Sequence, residues 1–209
     1  GLAILLNFSG AMILGVSRPM VSDAQYYLQA AQSLAAGQGF RIHDTFWPDT
    51  LTMSRSPGWP FAVSLFLRLL PGVSPDIVMR CFGLLINAGV AVCVILLAKR
   101  LFRSEGAAVL AGLGYVLHPL GFRLAYDGGS EPLFVLLLVV GTLLLLHGGD
   151  SRRAGVSCFL SVAGLFLFGL ACLVRPNFVL WIVFAAIMTG VRHWRISRQE
   201  DRCHLVCFF

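Results

Sequence analysis

A carboxylate that opens a helix at a membrane surface can take a proton from a hydroxyl group. Asp23 is such a carboxylate: it follows Ser22 at the head of SDAQYYLQAAQSLAAGQGF, just after an apolar run. The same two residues also have a structural reading, in which they cap and charge the helix N-terminus. Glu131 stands between Gly128-Gly129 and Pro132, in the first turn of an apolar helix. An interfacial acid there is a functional position by default, and equally a charge that satisfies exposed helix amides. Asp127 is its neighbour. Arg55 beside PGWP, Arg80 at a helix opening, Arg123 before the acidic turn and Arg175 before Pro176 are cations on the same side of the chain's layout. Each can also be read as a side chain snorkelling to the interface. His43 and Asp44 lie in a long polar loop where a sugar or a metal could bind, although an exposed loop histidine is usually just solvated. Cys203, His204 and Cys207 form CHLVC, which lacks the second ligand pair of a zinc site.

The elements that hold these residues are helices in a bilayer. Of the 209 residues, 57% are hydrophobic and 12% charged, and the mean hydropathy is +0.81. Soluble domains hold about twice that share of charge, so a soluble globular class is excluded. The net charge of +6 does not imply nucleic acid, because the basic residues sit singly or in small groups between apolar blocks. Cys81, Cys93, Cys158 and Cys172 lie within apolar stretches and do not read as a disulfide framework.

Spans are expected at 1–16, 77–97, 106–122 and 131–147, with 154–191 divided into two helices at Arg175-Pro176. A short interfacial helix is expected over 23–36, with N-cap Ser22 and stops at Gly37 and Gly39. The segment 59–72 is too short to span and reads as re-entrant or interfacial, with Trp47 and Trp59 as interface anchors. The expected fold is therefore all-α: a polytopic helical bundle of about six transmembrane helices, plus an interfacial helix in the first external loop. Lys99, Arg100 and Arg103, then Arg152 and Arg153, then Arg192, Arg195, Arg198 and Arg202 mark the cytoplasmic loops. The loop 17–60, the FRLAYDGGSE turn and the Arg175-Pro176 turn then face the periplasm or the outside.

The ordered set of Asp23 with Tyr26 and Tyr27, GQGF at 37–40, SRSPGWPF at 54–61, Arg80, GGSEPLF at 128–134 and LVRPNF at 173–178 resembles the polyprenyl-phosphate-dependent glycosyltransferases of the GT-C superfamily. It is most similar to the branch of protein O-mannosyltransferases, lipid A aminoarabinose transferases and rhizobial core transferases. The resemblance implies sugar transfer from a polyprenyl phosphate to an acceptor hydroxyl on the external face, with inversion. Asp23 would be the base, although Ala24 stands where the family often has a second acid. Glu131 and Asp127 would be supporting carboxylates. Arg55, Arg175 and Arg80 would bind the donor phosphate, a role that suits the bidentate guanidinium. Tyr26, Tyr27 and His43 would contact substrate.

The implied partners are a polyprenyl-phosphate-linked sugar, a glycan, lipid or protein acceptor, and membrane lipids, with no nucleic acid. The resemblance also implies integral placement in a bacterial inner (plasma) membrane of the cell envelope, including the lipopolysaccharide pathway. No nucleotide-binding fingerprint, Walker motif or zincin motif occurs, in keeping with a lipid-linked donor. No cofactor is called for, and a divalent metal is left open. Residues 1–202 read as one membrane-embedded module, and 203–209 as the start of an unfinished segment in a truncated chain. The competing reading is a catalytically incomplete fragment or a non-enzymatic membrane transport or scaffold protein.

Overall fold

The computed structural model describes Met20 and residues 22–42, 56–151, 153–176, 179, 183, 186–188 and 190–191. Among these residues there are helices and no strand. They form α1 (Ser22–Ala35), α2 (Gly58–Leu69), α3 (Pro75–Phe102), α4 (Glu105–Leu117), α5 (Pro119–Tyr126), α6 (Glu131–Asp150) and α7 (Ala154–Val174).

Three of these helices are long and apolar enough to cross a membrane: α3, α6 and α7. The pair α4 and α5 makes a fourth if it counts as one broken span. About six spans were expected, and that count is not reached among the described residues. The first expected span, 1–16, lies outside them, as does most of the stretch after Pro176. The 106–122 block is not one straight helix either, because its two halves meet at 53°. The cause is local. Pro119 disfavours helical backbone at His118, which adopts φ −70° and ψ 112°. His118 then starts the next helix, its Nδ1 accepting from the Gly121 amide at 3.4 Å.

FRLAYDGGSE is mostly helix, since α5 runs through Tyr126 and only Asp127 to Ser130 turn. α1 opens at Ser22 itself, one residue earlier than expected. At 12 residues, or about 18 Å, α2 is too short to span, as its length had indicated. It runs beside α1 in the same direction. Arg68 near its end donates from Nε to Ala35 O at 3.2 Å and from Nη2 to Leu34 O at 2.5 Å, tying down the last carbonyls of α1.

The spanning helices pack through small residues. A Cβ on Gly141 would lie 3.0 Å from Gly164 O, and one on Gly164 would lie 2.8 Å from Gly141 O. The α6 and α7 backbones therefore approach as closely as glycine permits. Close backbone contact of this kind drives association where lipid gives helices no reason to avoid solvent. Across α3 and α4, Tyr115 Oη donates to buried Asn87 Oδ1 at 2.8 Å. The outer faces are apolar and open, with Leu110 at 71%, Phe159 at 72% and Phe166 at 64% exposure.

Charge sorts to the two ends. At one end Lys99 pairs with Glu105 at 2.6 Å, and Arg100 pairs with Asp150 while donating to Leu146 O at 2.8 Å. At the other end, the starts of α1, α2 and α6 meet the tail of α7.

Candidate functional site

The turn after α5 carries the site, and its backbone is held from below. The indole N–H of Trp59, a fully buried residue of α2, donates to Gly128 O at 3.0 Å. Trp59 is stacked on Phe82 with ring centroids 5.4 Å apart. Arg80 donates to Tyr126 O at 3.3 Å and lies over the Tyr126 ring, 4.4 Å from its centroid. Within the turn, Asp127 N donates to Arg123 O at 2.8 Å and Gly129 N to Leu124 O at 2.8 Å. Gly128 has φ +80°, a conformation that a Cβ disfavours, and a Cβ there would sit 2.7 Å from Met79 Cε.

Above this platform is a cleft of about 320 Å³, lined by Asp23, Ala24 and Tyr27 from α1, by Leu120, Arg123, Leu124, Asp127, Gly129, Ser130 and Glu131, and by Arg175 at the end of α7. Two ion pairs lie along it. Arg123 Nε is 3.3 Å from Asp127 Oδ2, one helical turn on. Arg175 Nη2 donates to Glu131 Oε1 across 44 residues of sequence. The other Glu131 oxygen, Oε2, is buried and has no hydrogen-bond partner. α2 also fixes the α7 side of the cleft. Gly58 packs against the end of α7, where a Cβ would be 2.9 Å from Leu173 O and Val174 Cγ2.

Five of the nine residues expected to make a site are thus brought together at the cleft: Asp23, Tyr27, Asp127, Glu131 and Arg175. Tyr26 is not among its lining residues, nor is Arg80, which is 6% exposed beneath the turn. Arg55 and His43 lie outside the described residues.

Sequence reasoning had Trp59 as an interface anchor, whereas it is buried and bonded to the site's backbone. Its only advance signal was the rigid PGWP bend. Arg123 was one of four external cations with nothing to single it out, although its spacing of four from Asp127 is that of a helical ion pair. Leu120 and Leu124 went unnoticed because apolar residues in an apolar block carry no signal. Among the described residues, no three His, Cys, Asp or Glu side chains converge so as to hold a metal ion. Asp23, Asp127 and Glu131 line one cleft without forming a ligand cage.

In chemical terms the cleft offers carboxylates that can accept protons or hydrogen bonds from hydroxyl groups. It also offers guanidinium groups that can receive an oxyanion, and two leucines on one wall. A model of the dolichyl-phosphate-mannose-protein mannosyltransferase family matches residues 54–208 of the chain. The match begins after α1, so Asp127, Glu131 and Arg175 fall within it and Asp23 before it. No curated protein and no solved structure matches the chain.

Proposed function

The chain belongs to the dolichyl-phosphate-mannose-protein mannosyltransferase family, a family of membrane glycosyltransferases, and from that premise we propose that it moves a sugar from a polyprenyl-phosphate donor to an acceptor hydroxyl on the external face of the membrane. The observation that carries the proposal is the shared cleft, which gathers Asp23, Glu131 and Arg175 from three separate helices.

In this reading the acceptor hydroxyl oxygen attacks the anomeric carbon and forms the new glycosidic bond. The bond from that carbon to the phosphate oxygen breaks, and its electron pair leaves with the polyprenyl phosphate. The hydroxyl proton passes to the Asp23 carboxylate, and attack opposite the leaving group inverts the anomeric centre. Arg175 receives the charge that develops on the departing phosphate, which a planar guanidinium can hold through two parallel hydrogen bonds. Arg123 stands in the same cleft as a further cation, and Arg55 is kept in the proposal as a phosphate ligand. Tyr27 offers an aromatic face and a hydroxyl group to a sugar ring.

The test is Asp23→Asn in the complete protein reconstituted in lipid nanodiscs. Transfer is followed from radiolabelled polyprenyl-phosphate-linked mannose, and then from a pentose-linked donor, with the acceptor supplied as a membrane extract. Loss of a positioned base is expected to lower the rate about 10²- to 10⁴-fold. Transfer at the unaltered rate would remove Asp23 from this role.

A further inference from the structure

The cation best placed to receive phosphate is already occupied by a carboxylate of the same chain. Arg175 is paired with Glu131 Oε1, and the Glu131 carboxylate is turned so that its other oxygen is buried with no hydrogen-bond partner. A buried carboxylate oxygen left without a donor opposes this arrangement, so it rests on the guanidinium and on the space it fits into. Gly129 provides that space. A Cβ at position 129 would collide with Glu131 Oε2 and lie 3.0 Å from Leu124 O. Unlike Gly128, Gly129 has no positive φ, so its lack of a side chain matters for room rather than for backbone conformation.

We propose that Glu131 is an exchangeable stand-in for the anionic leaving group. In this structure it holds Arg175. When a phosphate monoester or diester enters, the guanidinium changes partner and the carboxylate swings away from Gly129 into the cleft. There its orphaned oxygen gains a hydroxyl of the sugar or of the acceptor as donor. Gly129 is a positioning residue for this exchange, since it admits the paired rotamer without touching substrate. The inference rests on the phosphate role given above to Arg175.

The two charge partners are 28% and 41% exposed, so the contact is a modest one, and releasing it should change affinity by a small factor. The experiment is binding of citronellyl phosphate, with inorganic phosphate as a second probe, to the full chain in nanodiscs by microscale thermophoresis. Four proteins are compared: the unaltered chain, Gly129→Ala, Glu131→Gln and Arg175→Gln. Gly129→Ala keeps both charges and denies the carboxylate its place, with a second, lesser crowding at Leu124 O. Both it and Glu131→Gln are expected to bind phosphate about two- to five-fold more tightly than the unaltered chain. A damaged fold would not produce a gain of this kind.

The same two variants should transfer sugar no faster, because the displaced carboxylate is then absent or misplaced. Equal or weaker binding by both, with binding still dependent on Arg175, overturns the exchange and leaves the phosphate role of Arg175 standing. Binding that Arg175→Gln does not alter overturns the phosphate role itself. A gain with citronellyl phosphate but none with inorganic phosphate would place the effect on the lipid chain rather than the anion, and would also overturn the exchange.

Discussion

Arg80 and Arg175 both stand at the cleft ends of long apolar helices, yet only Arg175 lines the cleft. Arg80 lies under the turn, with the Tyr126 ring and carbonyl as partners. Their substitutions should therefore separate. Arg80→Gln removes a desolvated cation–π contact and a charged hydrogen bond, and is expected to cost about 2–4 kcal/mol of stability. Arg175→Gln should stay within about 1 kcal/mol, because its ion pair is half-exposed, while weakening binding of the donor phosphate. Thermal unfolding in detergent beside a phosphate titration checks both, and the reverse pattern would exchange the two roles. Trp59→Phe tests the platform in the same way. It keeps a ring to stack on Phe82 but leaves Gly128 O buried without its donor, for an expected loss of about 1–3 kcal/mol. A melting temperature equal to that of the unaltered protein would mean that the indole hydrogen bond does not hold the turn.

The close seam between α6 and α7 sets where Glu131 and Arg175 stand relative to each other, since each residue lies at the cleft end of one of these helices. Gly164→Leu would drive a side chain into Gly141 O and Leu145. It should part the two helices and abolish both stable folding and transfer. Gly169→Ala, on the same helix with open space around it, should be neutral or stabilising by up to about 1 kcal/mol. If both variants melted alike, the seam would not be what joins the helices. The helices themselves were largely legible in the sequence. Long apolar runs located α3, α6 and α7, and Ser22 with Gly37 bracketed α1. The break at His118 was written there too, in Pro119, but a run of apolar residues on both sides masks a bend that only the residue before proline announces. Glu131 could be read as a first-turn acid, and Arg175 as a cation before proline, each from its neighbours. Their pairing could not, because it spans 44 residues and depends on the register between two apolar helices, which hydropathy does not encode. Trp59 was misread for the same reason, its partner Gly128 being 69 residues away.

The whole molecule has two chemically different ends, one with the cleft and the other with Lys99, Arg100, Glu105 and Asp150. If the basic end is cytoplasmic, a cysteine introduced at Asp76 should react with a membrane-impermeant maleimide on intact cells, and one at Gly106 only after lysis, in a background without native cysteines. Labelling in the opposite order would invert the protein and put the cleft inside. α3 extends this picture to depth. Its 28 residues make a rod of about 42 Å, longer than a hydrocarbon core of about 30 Å. Its inner charges, however, are spaced more closely than its ends: inside Asp76 and Arg100, Arg80 and Lys99 are about 28 Å apart along the axis. The helix is thus a ruler whose two marks match the bilayer, and its upper mark lies against the Tyr126 carbonyl at the base of the site. Under the proposed function, this spacing would hold the cleft at the level of lipid headgroups, where the phosphate of a membrane-bound isoprenoid rests. A bilayer of much shorter or longer acyl chains would pull one mark off its surface and shift the cleft relative to that phosphate, so turnover should peak at one bilayer thickness.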